Sequence, residues 1–255
     1  MQLKGKTVLI TGGASGIGLE AARQFLVNGA DVIITGRNQA KLDAARKQYP
    51  ALTAIQSDVS DKDDTLRLFN LVKGLGGIDI LYNNAGVLTD GINLGIANDQ
   101  HFEDAEYEMN VNYLGVIRLN NVFLDMLKAR KESAIINTTS ILSYVPSLLE
   151  ATYSASKVAL RFYTEALRKH LQILNSGLKI FELLPPVVAT EMTAGRDDKK
   201  LSSQQLVKAL ISGLRKDRFT IRVGDTKALY VVSRFFPKMA FGLVNPKKNY
   251  SVLES

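Results

Sequence analysis

The sequence predicts a doubly wound α/β fold, a parallel sheet of about seven strands with helices on both faces. Three observations carry that expectation. Short β-branched runs recur along the chain, the segments between them place apolar residues every three or four positions, and the first run passes through a glycine-rich turn into a helix.

Taken in order, the strand run 7–11 is followed by helical periodicity over 18–28, and the alternation repeats with strands at 31–35, 52–56 and 78–83 separated by helices over 39–49 and 62–75. A long helical segment, 105–130, precedes a strand at 134–139, and another, 153–175, precedes a strand at 179–184. The runs are apolar almost throughout, as expected of strands covered on both sides by right-handed crossover helices. After Pro186 the rhythm changes to a polar stretch at 194–205, a helix near 204–214 and an aromatic-rich tail. Without an internal repeat, linker or low-complexity tract, the economical reading is one domain over 1–255. Within it, 190–215 forms a variable substrate side and 226–255 a basic aromatic tail.

Composition narrows the chemistry. The chain has 255 residues, 46% hydrophobic and 22% charged, enough to bury a full core and too apolar for disorder. It has no cysteine and two histidines, His101 and His170, which removes thiolate nucleophiles and Cys-ligated metals and leaves no expectation of a metal site. Catalysis must use hydroxyls, amines, carboxylates or a bound cofactor. The opening MQLKGKTVLI lacks the features of a signal peptide, and no apolar window suffices for a membrane span, so a cytoplasmic protein is expected.

The formal charge of +7 is unevenly placed. Residues 196–255 hold 13 Lys/Arg against 5 Asp/Glu, while residues 1–195 hold 19 against 20. No helix-turn-helix, zinc or RNP-type motif accompanies the basic end, so a solvated basic face is expected there in preference to nucleic-acid binding.

The first run ends in Thr11-Gly-Gly-Ala-Ser-Gly-Ile-Gly18. Glycines at 12, 16 and 18 tighten such a turn, let backbone approach a pyrophosphate and bring helix close to strand, while the helix N-terminus offers free N–H groups to phosphates. The same glycines would also serve packing alone. In this strand–turn–helix setting they indicate a dinucleotide site of Rossmann type. At the end of the second strand, where an NAD-selective site carries Asp or Glu, the chain has Gly36 and Arg37. A missing carboxylate and an adjacent guanidinium favour a 2′-phosphate, hence NADP(H) over NAD(H).

Tyr153 has Lys157 four residues on, on one helical face, with Ser140 thirteen residues earlier at the end of a strand and Asn112 in the preceding long helix. A phenol of pKa about 10 needs a nearby ammonium to act as a base, and the protonated phenol can donate to a developing alkoxide. Ser140 would hold the substrate oxygen and Asn112 would fix a water leading from Lys157. Singly, these Ser and Asn residues are equally at home in caps and turns.

With these segments, the sequence resembles the short-chain dehydrogenase/reductase family from Lys6 to about Thr190: TGGASGIG at 11–18, Asp58-Val59, NNAG at 83–86, NVNYLG around Asn112, Ser140, YSASK at 153–157, and 185–190. The resemblance implies hydride transfer between a nicotinamide and a carbonyl or alcohol. It implies a tetrad of Asn112, Ser140, Tyr153 and Lys157, and cofactor contacts from Gly12, Ser15, Gly16, Ile17, Gly18, Arg37, Asp58, Val59, Asn84, Gly86, Tyr153, Lys157, Pro185, Val188 and Thr190. It also implies a homodimer or homotetramer. The chain departs from the family in carrying Pro186 where Gly is usual, and Ser15 where NADP-using members often place a basic residue. The 185–190 segment and the tail are similar to the DltE-like bacterial oxidoreductases.

Leu142, Tyr144, Leu149 and Met192 are expected to form an apolar substrate pocket, with 195–200 as a lid, although the same residues would suit a core or an interface. The tail segment 228–248 would cover the core, contact a second subunit or lie on an anionic membrane surface. A cofactor-binding sensor without turnover remains the alternative to an enzyme.

Overall fold

The computed structural model describes residues 1–89, 93–194, 200–247 and 250. Seven strands form one parallel sheet in the order β3-β2-β1-β4-β5-β6-β7: β1 Thr7–Thr11, β2 Asp31–Gly36, β3 Leu52–Gln56, β4 Ile80–Asn83, β5 Ala134–Thr138, β6 Lys179–Leu184 and β7 Thr220–Arg222. The helices are α1 Gly16–Val27, α2 Gln39–Gln48, α3 Lys62–Gly74, α4 Gln100–Met109, α5 Gly115–Lys128, α6 Ala151–Ile173, α7 Ser203–Arg215, α8 Thr226–Phe235 and α9 Pro237–Val244.

Period-two alternation distributes the strand side chains to two cores. Val8 and Ile10 of β1, Val32 and Ile34 of β2, and Ile136 of β5 pack on the side of Ala21, Phe25, Leu206 and Leu210 from α1 and α7. Leu9, Ile33, Leu81 and Ile135 point the other way, against Leu68 and Val72 of α3 and Leu119, Phe123 and Leu127 of α5. Local signals fix the helix starts: the Asn38 side chain accepts from Lys41 N, Asp61 accepts from Asp64 N, and Ser202 with Gln205 forms a capping box. The strand order reverses between β1 and β4, which opens a crevice at their C-terminal ends.

Three features differ from the sequence reading. The long helix begins at Gln100 and is interrupted by a π-helical turn, Asn110–Leu114, in which Gly115 N reaches back to Asn110 O; single π turns of this kind recur at functional sites. The strand expected to reach 139 ends at Thr138, and Ser140 instead caps a 3-10 turn, Ile141–Ser143. The seventh strand is only three residues long and paired to β6, too short to register as a run. No helix among the described residues is long and apolar enough to cross a membrane.

Candidate active site

The glycine turn is shaped by contacts that leave no space for side chains. Gly12 lies at φ +62°, and a Cβ there would come within 2.9 Å of Ala85 Cα. A Cβ on Gly18 would collide with the Gly12 carbonyl oxygen, and one on Gly16 would press within 3.2 Å of Thr190 Cγ2. The turn is held against the loop after β4 by Asn84, whose Nδ2 donates to Thr11 O at 3.0 Å and Gly12 O at 3.2 Å, while Thr11 Oγ1 accepts from Asn84 N and Ala85 N. Ser15 is the N-cap residue of α1, but its side chain makes no capping bond. Sequence-distant pieces, 11–18, 84–86 and 190, therefore meet at one helix N-terminus.

A cavity beside this turn is lined by Gly12, Gly36, Arg37, Asp58, Val59 and Gly86, together with Thr35 and Ser57. The buried hydroxyls of Thr35 and Ser57 have no hydrogen-bond partner among the described residues. Buried polar atoms ordinarily find partners, so orphans in the wall of a cavity fit a polar ligand. Asp58 is committed elsewhere, its Oδ1 accepting from Ser60 N at 2.8 Å and Ser60 Oγ at 2.6 Å, which shapes the loop and leaves Oδ2 without a role in that turn. The Arg37 guanidinium lies 5.6 Å from the ring centroid of Tyr107. Glycine cradle, uncapped helix N-terminus, orphan hydroxyls and Arg37 together match the donor set that a dinucleotide phosphate requires.

Ser140, Tyr153 and Lys157 meet at the second half of the crevice. Ser140 and Tyr153 line a cleft whose walls also include Ile17, Leu142, Pro185, Val188, Thr190 and Met192. Tyr153 is in the first turn of α6, and Lys157 Nζ lies 5.5 Å from its ring centroid. Lys157 is buried and donates to Thr138 O at 3.1 Å. Burial pushes its ammonium down to a pKa of about 8, with the negative charge of Glu108 opposing the shift. A Cβ on Gly86 would press within 3.2 Å of Asn112 Oδ1 and meet Lys157 Nζ at an ordinary contact distance of 3.5 Å, so this glycine packs closely on Asn112 beside the ammonium.

The Asn112 side chain ties three segments together. Its Oδ1 accepts from Val87 N at 2.9 Å, and its Nδ2 donates to Val87 O at 2.9 Å and to Ser156 Oγ at 3.1 Å. The side chain is fully buried and its hydrogen bonds join the π turn, the 84–87 loop and α6. It therefore sets the distance between the NNAG segment and the helix that carries Tyr153 and Lys157.

Of the residues expected on the substrate side, Leu142 and Met192 line the cleft. Tyr144 lies apart from its lining. Its hydroxyl accepts from Arg222 Nε at 2.8 Å, and its ring packs 5.1 Å from that of Tyr230 and beneath Arg161. Leu149 lines a separate small cavity with Thr89, Glu108 and Thr152. Of the expected lid, 195–199 lies outside the described residues. Pro186 belongs to the cleft wall beside Pro185 and packs near Gly224, so the second proline adds apolar surface where the family has glycine. Thr190 N is held by Thr193 Oγ1 at 3.2 Å, which keeps this threonine over Gly16.

Sequence reasoning missed Leu88 and Glu150 in the cleft wall, and Glu108. Glu108 is fully buried, its Oε1 accepting from Thr89 N at 2.9 Å and Thr89 Oγ1 at 3.0 Å. Its position four residues before Asn112, on the inward face of α4, was the available signal.

Residues 6–201 match the family model for short chain dehydrogenase. The uncharacterised oxidoreductase DltE of Bacillus subtilis is 30% identical over 256 residues, covering 98% of this chain and all of the relative. The NADPH-dependent 1-acyldihydroxyacetone phosphate reductase of Schizosaccharomyces pombe is 34% identical over 190 residues, 73% of this chain and 61% of that protein. Among solved structures, a short chain dehydrogenase from Burkholderia cenocepacia in complex with NADP superposes with a TM-score of 0.84 at 26% identity, covering 96% of this chain and 99% of the other. The parallel seven-stranded sheet, the nucleotide cradle at its switch point and these likenesses have one reading: the chain belongs to the short-chain dehydrogenase family of oxidoreductases, in its DltE-like branch.

Proposed function

We propose that the protein is an NADP(H)-dependent oxidoreductase interconverting a carbonyl compound and its alcohol, with Tyr153 as general acid and base. The observation that carries this reading is the convergence of Ser140 and Tyr153 on one apolar cleft, with the buried Lys157 ammonium behind the tyrosine ring. When bound, the reduced nicotinamide supplies a hydride to the carbonyl carbon. Tyr153 gives its hydroxyl proton to the carbonyl oxygen as negative charge develops there, and takes it back in the oxidation direction. Ser140 donates a hydrogen bond to the same oxygen and fixes it in line. The Lys157 ammonium stabilises the phenolate left on Tyr153. Gly12, Gly16, Gly18 and Ser15 would hold the pyrophosphate, Asp58 and Val59 the adenine, and Pro185, Val188 and Thr190 the nicotinamide, with Asn84 and Gly86 in the connecting wall.

Arg37 supports NADP(H) over NAD(H), because Gly36 brings no carboxylate to repel a 2′-phosphate. Relatives and solved neighbours of this chain carry either nucleotide, NADP or NADPH in two and NAD or NADH in two others, so the preference rests on Arg37 and Gly36. The cleft wall of Leu142, Pro185, Pro186 and Met192 favours a substrate with an apolar body. A screen of aldehydes, ketones and alcohols that reads reduced nicotinamide absorbance, run beside Tyr153→Phe, tests the proposal. Turnover confined to the wild type is the expected result. Binding without turnover of any member would favour a cofactor sensor.

The same reading includes self-association. Phe102 on α4, Leu114 on the π turn and Phe162 on α6 are exposed by 71%, 41% and 62%, an apolar surface of the kind subunits cover. A homodimer or homotetramer is expected in sedimentation velocity, and Phe162→Asp is expected to shift it to a smaller species.

A further inference from the structure

Helices α8 and α9 present an outer face that is both apolar and cationic. In α8 the exposed residues Lys227, Ala228, Val231, Arg234 and Phe235 share one side at helical spacing, while Leu229 packs inward against Val145. Phe236, Met239 and Leu243 continue the apolar surface at the turn and along α9, with Phe235 70% and Leu243 64% exposed. Residues 226–250 contain five Lys/Arg and no Asp/Glu. Lys227, Arg234, Lys238 and Lys247 are exposed, and none is in an ion pair among the described residues.

We propose that this face docks on an anionic lipid bilayer, with Phe235, Phe236, Met239 and Leu243 entering the interface and the four cations meeting the headgroups. Charge decides the occupant. A second copy packed about a two-fold axis would set the same unpaired cations against each other, and a nucleic acid backbone would leave the apolar side chains in water. An anionic bilayer satisfies both features, because apolar burial and headgroup attraction add.

The surface is fastened to the cleft. Asn245, at the end of α9, donates to Pro146 O at 2.9 Å and accepts from Leu148 N at 2.7 Å, and Arg222 holds Tyr144. The segment so clamped, 140–148, begins with the Ser140, Ile141 and Leu142 that line the cleft. Docking therefore brings the cleft near the lipid, a position suited to a membrane-dissolved carbonyl substrate. That last step rests on the reductase reading; docking itself does not.

The test is co-sedimentation of the full chain with vesicles of phosphatidylcholine alone and of phosphatidylcholine with phosphatidylserine. The mixed vesicles should bind at least tenfold more strongly, with binding weakened by salt. Each cation counts for about fivefold, so Arg234→Gln with Lys238→Gln should weaken binding about 25-fold. Phe235→Ser with Phe236→Ser should remove it. These side chains are exposed, and an unchanged melting temperature confirms that both variants fold. Absence of binding to the mixed vesicles, or binding that neither variant weakens, overturns the proposal. So does self-association abolished by the same variants in a protein that ignores vesicles, which would assign the face to a second copy.

Discussion

Lys157 donates from its buried ammonium to the carbonyl oxygen of Thr138 at 3.1 Å, joining the helix of the proposed acid/base tyrosine to the strand end that leads into Ser140. This bond crosses between α6 and β5 and fixes Lys157 behind Tyr153. It also places a cation where burial disfavours it.

That cost gives a stability prediction. Lys157 releases its proton near pH 8 in the folded protein, against about 10.5 in the unfolded chain. Between these values the unfolded chain holds the extra proton, so this group's contribution makes stability rise with pH across that window, and its penalty is greatest below pH 8. Lys157→Met should raise the stability of the ligand-free protein at pH 7 by on the order of 2 kcal/mol, and by less at pH 10, while abolishing turnover. Urea denaturation at the two pH values measures this difference.

Glu108 is the charge that opposes the downward shift of Lys157. Glu108→Gln keeps an oxygen to accept from Thr89, so the fold should persist. Without the negative charge, the Lys157 pKa falls further. A turnover that needs the ammonium should then lose its alkaline limb at lower pH than wild type. An unchanged pH profile would remove Glu108 from this role.

Arg37 should decide the cofactor. A charge-assisted contact to a 2′-phosphate contributes about 1.5–3 kcal/mol, so Arg37→Ala should weaken NADPH binding by about 10- to 150-fold and leave NADH binding nearly unchanged. Fluorescence titration of both nucleotides measures this, and equal affinities of the wild type for the two would contradict the assignment.

How far the sequence reaches is clearest at particular residues. The strand runs and the 11–18 turn were legible because burial on both faces and glycine sterics act locally. The π turn at 110–114 was not, because apolar spacing continues through it and only the hydrogen-bond register changes. Tyr144 was expected at the cleft from its nearness to Ser140 in sequence. Its partners, Arg222 and Tyr230, are some eighty residues away, and such contacts leave no local pattern. Asn112 was identified by position, yet its hydrogen bonds to Val87 and Ser156 became visible only once the π turn had been placed against α6.

The central claim is that Tyr153 moves the proton in a hydride transfer. The most direct measurement is the rate of carbonyl-dependent NADPH oxidation by wild type and Tyr153→Phe, with NADPH affinity measured in parallel. A fall of about 10²- to 10⁴-fold in kcat, at an affinity within a few-fold of wild type, is the predicted result. Turnover surviving the loss of that one hydroxyl would contradict the account.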